Sequence, residues 1–412
     1  MAEPVPPAAA PLLGTQFPTL LAYRVLSILS YQITAVTVGW HVYELTRNPL
    51  SLGLIGLAEV IPYFCCALFA GYAVDHLPRR KLGLAACACL SVTGLLLTAI
   101  SAGWLGDGSV WMIYAAIAVT GVARAFLGPI FYALFARVLQ REQFARGAGI
   151  GSVAFQTAMV AGPALGGVLV GWAGKTAAYA TAAALALIAG SVLLLLRVAE
   201  PVAGGERAPV LNSIGEGLRF VFGNQIILAA LALDMFAVLF GGAVALLPAF
   251  IQEILHYGPE GLGILRGAPA LGAVAMGLWL ARHPPGRHAG RVLLLAVAGF
   301  GLCIIGFGLS THFWLSALLL LMSGMCDGVS VVTRSTILQL ATPDQMRGRV
   351  SSINGIFIGS SNELGAFYCG SMARLLGLVP AVVLGGFVTF AVVGVTALKA
   401  PKLRRLDLKD LH

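Results

Sequence analysis

Seven ionisable side chains stand inside stretches that are otherwise apolar: Arg24, Glu59, Arg124, Asp234, Asp327, Arg334 and Glu363. A charge in such surroundings costs about 2.5–3.5 kcal/mol on insertion scales, so it faces a water-filled cavity or a partner. Carboxylates placed this way can take up and release protons. Guanidiniums can hold an anionic group through paired hydrogen bonds. The histidines fall at the ends of apolar stretches, in loops or in the tail, and the seven cysteines form no CxxC and no Cys/His metal spacing. No metal site, no cofactor and no enzymatic activity are therefore expected. No Walker-type loop is present, which argues against ATP as an energy source.

The elements that carry these charges follow from composition. Of the 412 residues 58% are hydrophobic and only 10% charged, against about a quarter charged in an average soluble domain. Mean hydropathy is +0.90. Lipid must be the solvent for much of this chain. Glycine, 51 residues, is ordinary in membrane helices, where small residues let backbones approach. A spanning helix needs about 20 mostly apolar residues. Twelve such stretches are read near 17–43, 50–74, 82–103, 109–137, 148–173, 176–197, 224–252, 260–281, 292–310, 313–341, 350–376 and 378–398. The start, Met1-Ala-Glu-Pro-Val-Pro-Pro, lacks the positive region and cleavage site of a signal peptide, so the first helix is expected to stay in the mature chain.

Of the 26 Lys and Arg, nineteen then fall on one side of the membrane, two on the other (Arg47 and Lys175) and five within spans. The positive-inside rule places both termini in the cytoplasm. The net charge of +9 is thus read as topology. No basic-aromatic cluster supports nucleic-acid binding.

The longest connection on the basic side, about 198–223, has six spans on either side. The expected organisation is a disordered tail at 1–16, a six-helix bundle at 17–197, a cytoplasmic linker at 198–223, a second six-helix bundle at 224–398 and a cytoplasmic tail at 399–412. The halves echo one another. Asn48-Pro49 and Gly53 match Gly258-Pro259 and Gly263 at an offset of 210. Gly121, Gly162 and Gly167 match Gly324, Gly365 and Gly370 at an offset of 203. By the same offsets Arg24 matches Asp234 and Arg124 matches Asp327. Paired repeats with a substrate site between them are a common build for secondary transporters.

At this point the chain resembles the major facilitator superfamily. Gly71-Tyr-Ala-Val-Asp75-His76-Leu-Pro78-Arg79-Arg80-Lys81 resembles the superfamily's loop signature after helix two, departing from it at His76 and Pro78. Gly162-Pro163-Ala-Leu-Gly166-Gly167 resembles the core of a helix-five motif seen in many exporters, with Ala158 where the longer pattern has glycine. Trp40-His-Val-Tyr-Glu-Leu-Thr46, Arg124-Ala-Phe-Leu-Gly-Pro129, the run from Arg334 to Val350 and Phe357-Ile-Gly-Ser-Ser-Asn-Glu-Leu-Gly365 resemble the branch of efflux proteins that includes the enterobactin exporter. The resemblance runs from about 17 to 400. It implies an all-α membrane protein, twelve transmembrane helices in two pseudo-symmetric bundles, in the cytoplasmic (inner) membrane of a bacterium. It also implies proton-linked efflux of a small molecule, such as a siderophore or drug, by a monomer. An importer or a lysophospholipid flippase on the same fold, and more remotely a membrane sensor or enzyme, are the alternatives.

In the resembled fold, helices one, four, seven and ten line the cavity. This suggests a basic wall (Arg24, Arg124) facing an acidic one (Asp234, Asp327). Ser323, Asp327, Ser330 and Arg334 fall at i, i+4, i+7 and i+11, on one helical face. Arg124 lies about 21 Å into its span, well inside a core of ~30 Å. Two readings stay open. Asp234 or Asp327 carries the coupling proton while the arginines hold an anionic substrate, or pairs such as Arg24–Asp234 and Arg124–Asp327 hold the halves together. Glu59 and Glu363 have weaker claims. Arg266 and Arg374, near span ends, are expected to reach for the outer surface. The resemblance also implies that Asp75 and Arg79 latch the halves on the cytoplasmic side. Gly162 and Pro163 are expected to bend helix five or let it pack closely.

Overall fold

A computed structural model describes residues 16–105, 110–140, 143–198, 210–283, 288–343 and 346–407. The expected tail, except Gln16, and the Glu200–Glu206 stretch of the linker lie outside the described residues. Among those described, the chain is built of helices and carries no strand. The first half holds α1 (Gln16–Thr46), α2 (Pro49–His76), α3 (Arg79–Ser101), α4 (Val110–Val138) and α5 (Phe144–Leu194). A short helix, α6 (Val210–Gly223), leads into the second half. That half holds α7 (Gln225–Gly241), α8 (Leu247–Phe250), α9 (Glu260–Arg282), α10 (Ala289–Leu309), α11 (Phe313–Ala341), α12 (Arg347–Leu376) and α13 (Leu378–Lys399), followed by α14 (Pro401–Arg404).

Among the described residues, ten helical stretches are long and apolar enough to cross a membrane. One of them, Arg146–Leu194, is two spans, because Gly174 (φ 80°, ψ 166°) breaks α5 in a conformation that favours glycine. The one remaining span, the eleventh in chain order, is α12, whose Ser, Asn and Glu residues hold its hydropathy down. The seventh expected span, 224–252, is broken rather than continuous. After Gly242 the chain makes a 3₁₀ turn (Ala243–Leu246), the single turn of α8 and a π turn (Ile251–Leu255) closed by His256 at φ 46°. Pro248 lacks the N–H that would continue the ladder there. Other starts are conventional: Asn48 accepts from the Leu50 N–H at 3.1 Å with Pro49 at the first helical position, and Asn224 accepts from Ile226 and Ile227.

Four exposed tryptophans, Trp104, Trp111, Trp172 and Trp314, sit at helix ends on the side away from the termini. This is the belt that indole rings form at a membrane–water boundary.

Equivalent helices pack equivalently. In the first half α1 lies on α5, α2 on α4 and α3 on α5. In the second α7 lies on α12, α9 on α11 and α10 on α13. The halves meet along two seams, α2 with α12 and α5 with α9. These seams are the same contact made twice. Gly53 packs on Phe367, Ala366 and Gly370, and its counterpart Gly263 packs on Ala164, Pro163 and Gly167. Association within lipid gains little from hydrophobicity, so close backbone approach at glycine supplies the packing.

The seams lie in the part of the bundle remote from the termini. An apolar cluster joins both halves there, with Val36, Tyr43 and Leu52 against Leu246, Phe250 and Cys369. Toward the termini the same seam helices carry Gly149, Gly277 and Gly355, and a side chain added at any of these would meet open space. These seams close the molecule at the end remote from the termini.

Candidate functional site

The closed end stops at a cluster of charges. Gly121 of α4 lets that helix cross α2 against the backbone carbonyl of Glu59, where any side chain would collide. One turn on, Arg124 projects between the bundles. Its Nη1 pairs with Glu59 of α2 and lies 3.4 Å from a carboxylate oxygen of Glu363 on α12. Its guanidinium carbon lies 4.2 Å from the ring centre of Tyr31 and 5.6 Å from that of Tyr63, a cation–π placement. Arg266 of α9 enters the same space and donates to the Ala35 carbonyl of α1 at 3.3 Å. Arg266 and the two carboxylates that hold Arg124 line a pocket of about 90 Å³. It is lined also by Tyr31, Thr120 and Pro248, the last from the broken seventh span.

Two of the three polar connections cross between halves: Arg124 to Glu363, and Arg266 to Ala35. Glu59 and Glu363, which the sequence ranked lowest, are the direct partners of Arg124. Arg266 corrects an expectation, since it does not reach for the outer surface. It lies one turn beyond Gly263, on the face that meets α5, so it is carried into the seam. Arg374 is exposed in the last turn of α12.

A second cluster sits within the other half. Asp234 of α7 pairs with Arg334 of α11, both buried. Asp327 and Ser330 line a small cleft with Asp234. The polar face of α11 read from the sequence thus points at α7. The proposed Arg24–Asp234 and Arg124–Asp327 pairs are not made. Arg24 lies instead over Phe131 at 3.9 Å and Phe155 at 4.9 Å. The reason is the repeat itself. Phe131 is the counterpart of Arg334 at the offset of 203. Arg24 on Phe131 and Asp234 on Arg334 are the same α1–α4 type of contact in each half, so counterparts point at their own half.

The helix-five motif works as a two-sided packing surface. Gly162 and Gly166 face Gln32, Ile33 and Val36 of α1, while Pro163 and Gly167 face Gly263 of the other half. In the loop signature, Gly71 and Asp75 fall in the last turns of α2, and their side chains lie outside what is described. Arg79 is buried, and Arg80 donates to the Leu194 carbonyl at 2.8 Å within its own half.

A contact absent from the sequence reading closes the far end. Tyr43 donates its hydroxyl to Glu253, and beside it Arg47 donates to Gln252 at 2.7 Å. Lys175 pairs with Glu44 at 2.8 Å within the first half.

Comparison with known proteins fits this architecture. The sequence pattern of the Major Facilitator Superfamily matches residues 20–366. The chain belongs to that superfamily. It is a membrane transporter rather than an enzyme. Among relatives of this major facilitator protein, the multidrug efflux pump Tap of Mycolicibacterium fortuitum is 26% identical, with 91% of this chain and 93% of Tap aligned. The enterobactin exporter EntS of Citrobacter koseri is 25% identical over 90% of this chain and 88% of its own. Solved structures share the fold. A bacterial homologue of the lysosomal transporter Spinster, inward-facing and unoccupied, has a TM-score of 0.70 at 15% identity, over 96% of this chain and 99% of its own. A POT family transporter in complex with 5-aminolevulinic acid has a TM-score of 0.76 at 10% identity, over 95% and 98%.

Proposed function

We propose that this transporter exports a small amphipathic or anionic molecule in exchange for protons, by alternating access between the two bundles. The observation that carries the reading is the position of Arg124, held at once by Glu59 of its own half and Glu363 of the other. Opening the closed end requires that the cross-seam contact break. When the seam opens, the freed Glu363 takes up a proton from the far side, and re-forming its pair with Arg124 as the seam closes releases that proton to the termini side, so protons move inward as substrate moves outward. Proton arrival and seam opening are thereby linked through one atom pair. Asp327, beside the Asp234–Arg334 pair, is a second proton-carrying position of the same kind.

In this reading the substrate is held toward the termini, at Arg24. Arg24 forms no ion pair among the described residues, and its guanidinium lies against Phe131 and Phe155. A cation framed by aromatic rings suits a flat anion with an apolar body, and a site there need not compete with the carboxylates for protons. The names of the relatives Tap and EntS support export. The excess of basic residues on the termini side supports cytoplasmic termini, and the bacterial exporter among the relatives supports residence in an inner membrane. The working unit is one chain.

The test is accumulation in inside-out membrane vesicles, comparing a catecholate siderophore, a macrolide and a lipophilic cation with and without a proton gradient. Gradient-dependent accumulation of at least one, lost in Glu363→Gln, is expected. Accumulation indifferent to the gradient, or unaffected by the substitution, contradicts the reading.

A further inference from the structure

The end of the chain is docked rather than loose. Gly290, in the first turn of α10, donates its N–H to the Leu406 carbonyl at 3.4 Å, and a side chain at Gly290 would run into the backbone of Leu403. Leu403 itself is fully buried with Leu293, Ala230 and Leu233. This fixes α14 on the start of α10 and sets Arg404 and Arg405 beside Arg291. The three arginines, with Leu294 and Leu295, line an open recess of about 510 Å³.

The charged residues that line the recess are all basic. None of the three arginines forms an ion pair among the described residues. The first turn of α10 carries no acidic residue, so the positive end of its dipole adds to the guanidiniums. Three like charges fixed by a packed backbone repel, and an anion seated among them relieves that repulsion. The apolar continuation says which kind of anion. Leu295, Leu302 and Leu309 are exposed at intervals of seven residues, on one face of α10. That face begins one turn below Arg291 and runs for about 21 Å into the bilayer at 1.5 Å per residue.

We infer that this recess binds the phosphate of an anionic glycerophospholipid in the leaflet on the termini side, with an acyl chain lying along the leucine face of α10. Basic pockets at this level of a membrane protein suit such head groups. The inference rests on the chain lying in a bilayer and is independent of what it transports.

The test is native mass spectrometry of the purified full-length protein in a neutral detergent. The probes are phosphatidylglycerol, phosphatidylcholine and glycerol 3-phosphate. Phosphatidylglycerol is expected to bind in preference, about fivefold more weakly for each arginine removed in Arg291→Gln, Arg404→Gln and Arg405→Gln. Arg146→Gln, an exposed arginine of the other half, is the control that leaves binding unchanged. Equal binding of phosphatidylcholine, equal binding of glycerol 3-phosphate, or loss in the control as large as in the recess variants would each overturn the inference.

Discussion

Tyr43 hydrogen-bonds to Glu253, the residue that stands 210 positions later at its own counterpart in the repeat. Counterparts related by a pseudo-twofold axis can touch only where their helices converge on that axis. The first helix and the broken seventh span do so at the closed end. Toward the termini the same two elements carry Arg24 and Asp234, which turn to Phe131 and Arg334 of their own halves. Tyr43→Phe removes the donor while leaving the ring. It is expected to weaken closure about two- to tenfold, the worth of one hydrogen bond. Spin labels at Leu45 and Leu376, measured by pulsed electron resonance, report the shift as a larger population of long distances.

The seams make a second prediction, in which the repeat supplies its own control. A methyl at Gly370 would stand 2.9 Å from the Gly53 backbone, and one at Gly167 would press on Gly263. Gly370→Ala and Gly167→Ala should therefore both shift the Leu45–Leu376 distances toward the separated state. Gly149→Ala, where a side chain meets open space, should leave them alone.

The Asp234–Arg334 pair is buried and confined to one half, so its loss is a matter of stability first. Arg334→Met or Asp234→Asn leaves a partner without its counter-charge, at a cost of about 3–5 kcal/mol. The double variant should recover most of that. Thermal unfolding in detergent reads all three, and single and double variants of equal stability would mean that the pair contributes nothing.

The two candidate proton carriers can be separated by substitution. Asp327→Asn and Glu363→Gln each remove one titrating group without a large change of shape. Transport driven by a pH gradient should fall at least tenfold in the variant that carries the coupling proton, while substrate exchange without a gradient persists. Unchanged pH-driven transport in Asp327→Asn removes Asp327 from that role.

Much of this architecture is legible in the sequence because lipid imposes long apolar helices and a basic side. The offsets 210 and 203, read from a few glycines, also relate the two seams the structure shows, since Gly53–Gly370 and Gly263–Gly167 are counterparts. Partners are harder. Equivalence of Arg24 with Asp234 suggests a pair, yet a twofold axis separates such residues except near itself. The sequence makes Arg266 look like a span-end arginine because hydropathy reports depth and not the face a side chain takes. Its register on Gly263 was the available signal. The break after Gly242 was hidden because Gly and Pro are common in membrane helices. Glu253, outside the apolar run, gave no hint of a partner on α1.

The central claim is that protons and substrate move in opposite directions through one rocking pair of bundles. It is tested most directly in proteoliposomes holding a pH-sensitive dye, with a substrate gradient imposed and no initial pH difference. Substrate flowing out should draw protons in, and Glu363→Gln should abolish the dye signal. Protons that travel with the substrate, or a dye signal that stays flat while substrate moves, would contradict it.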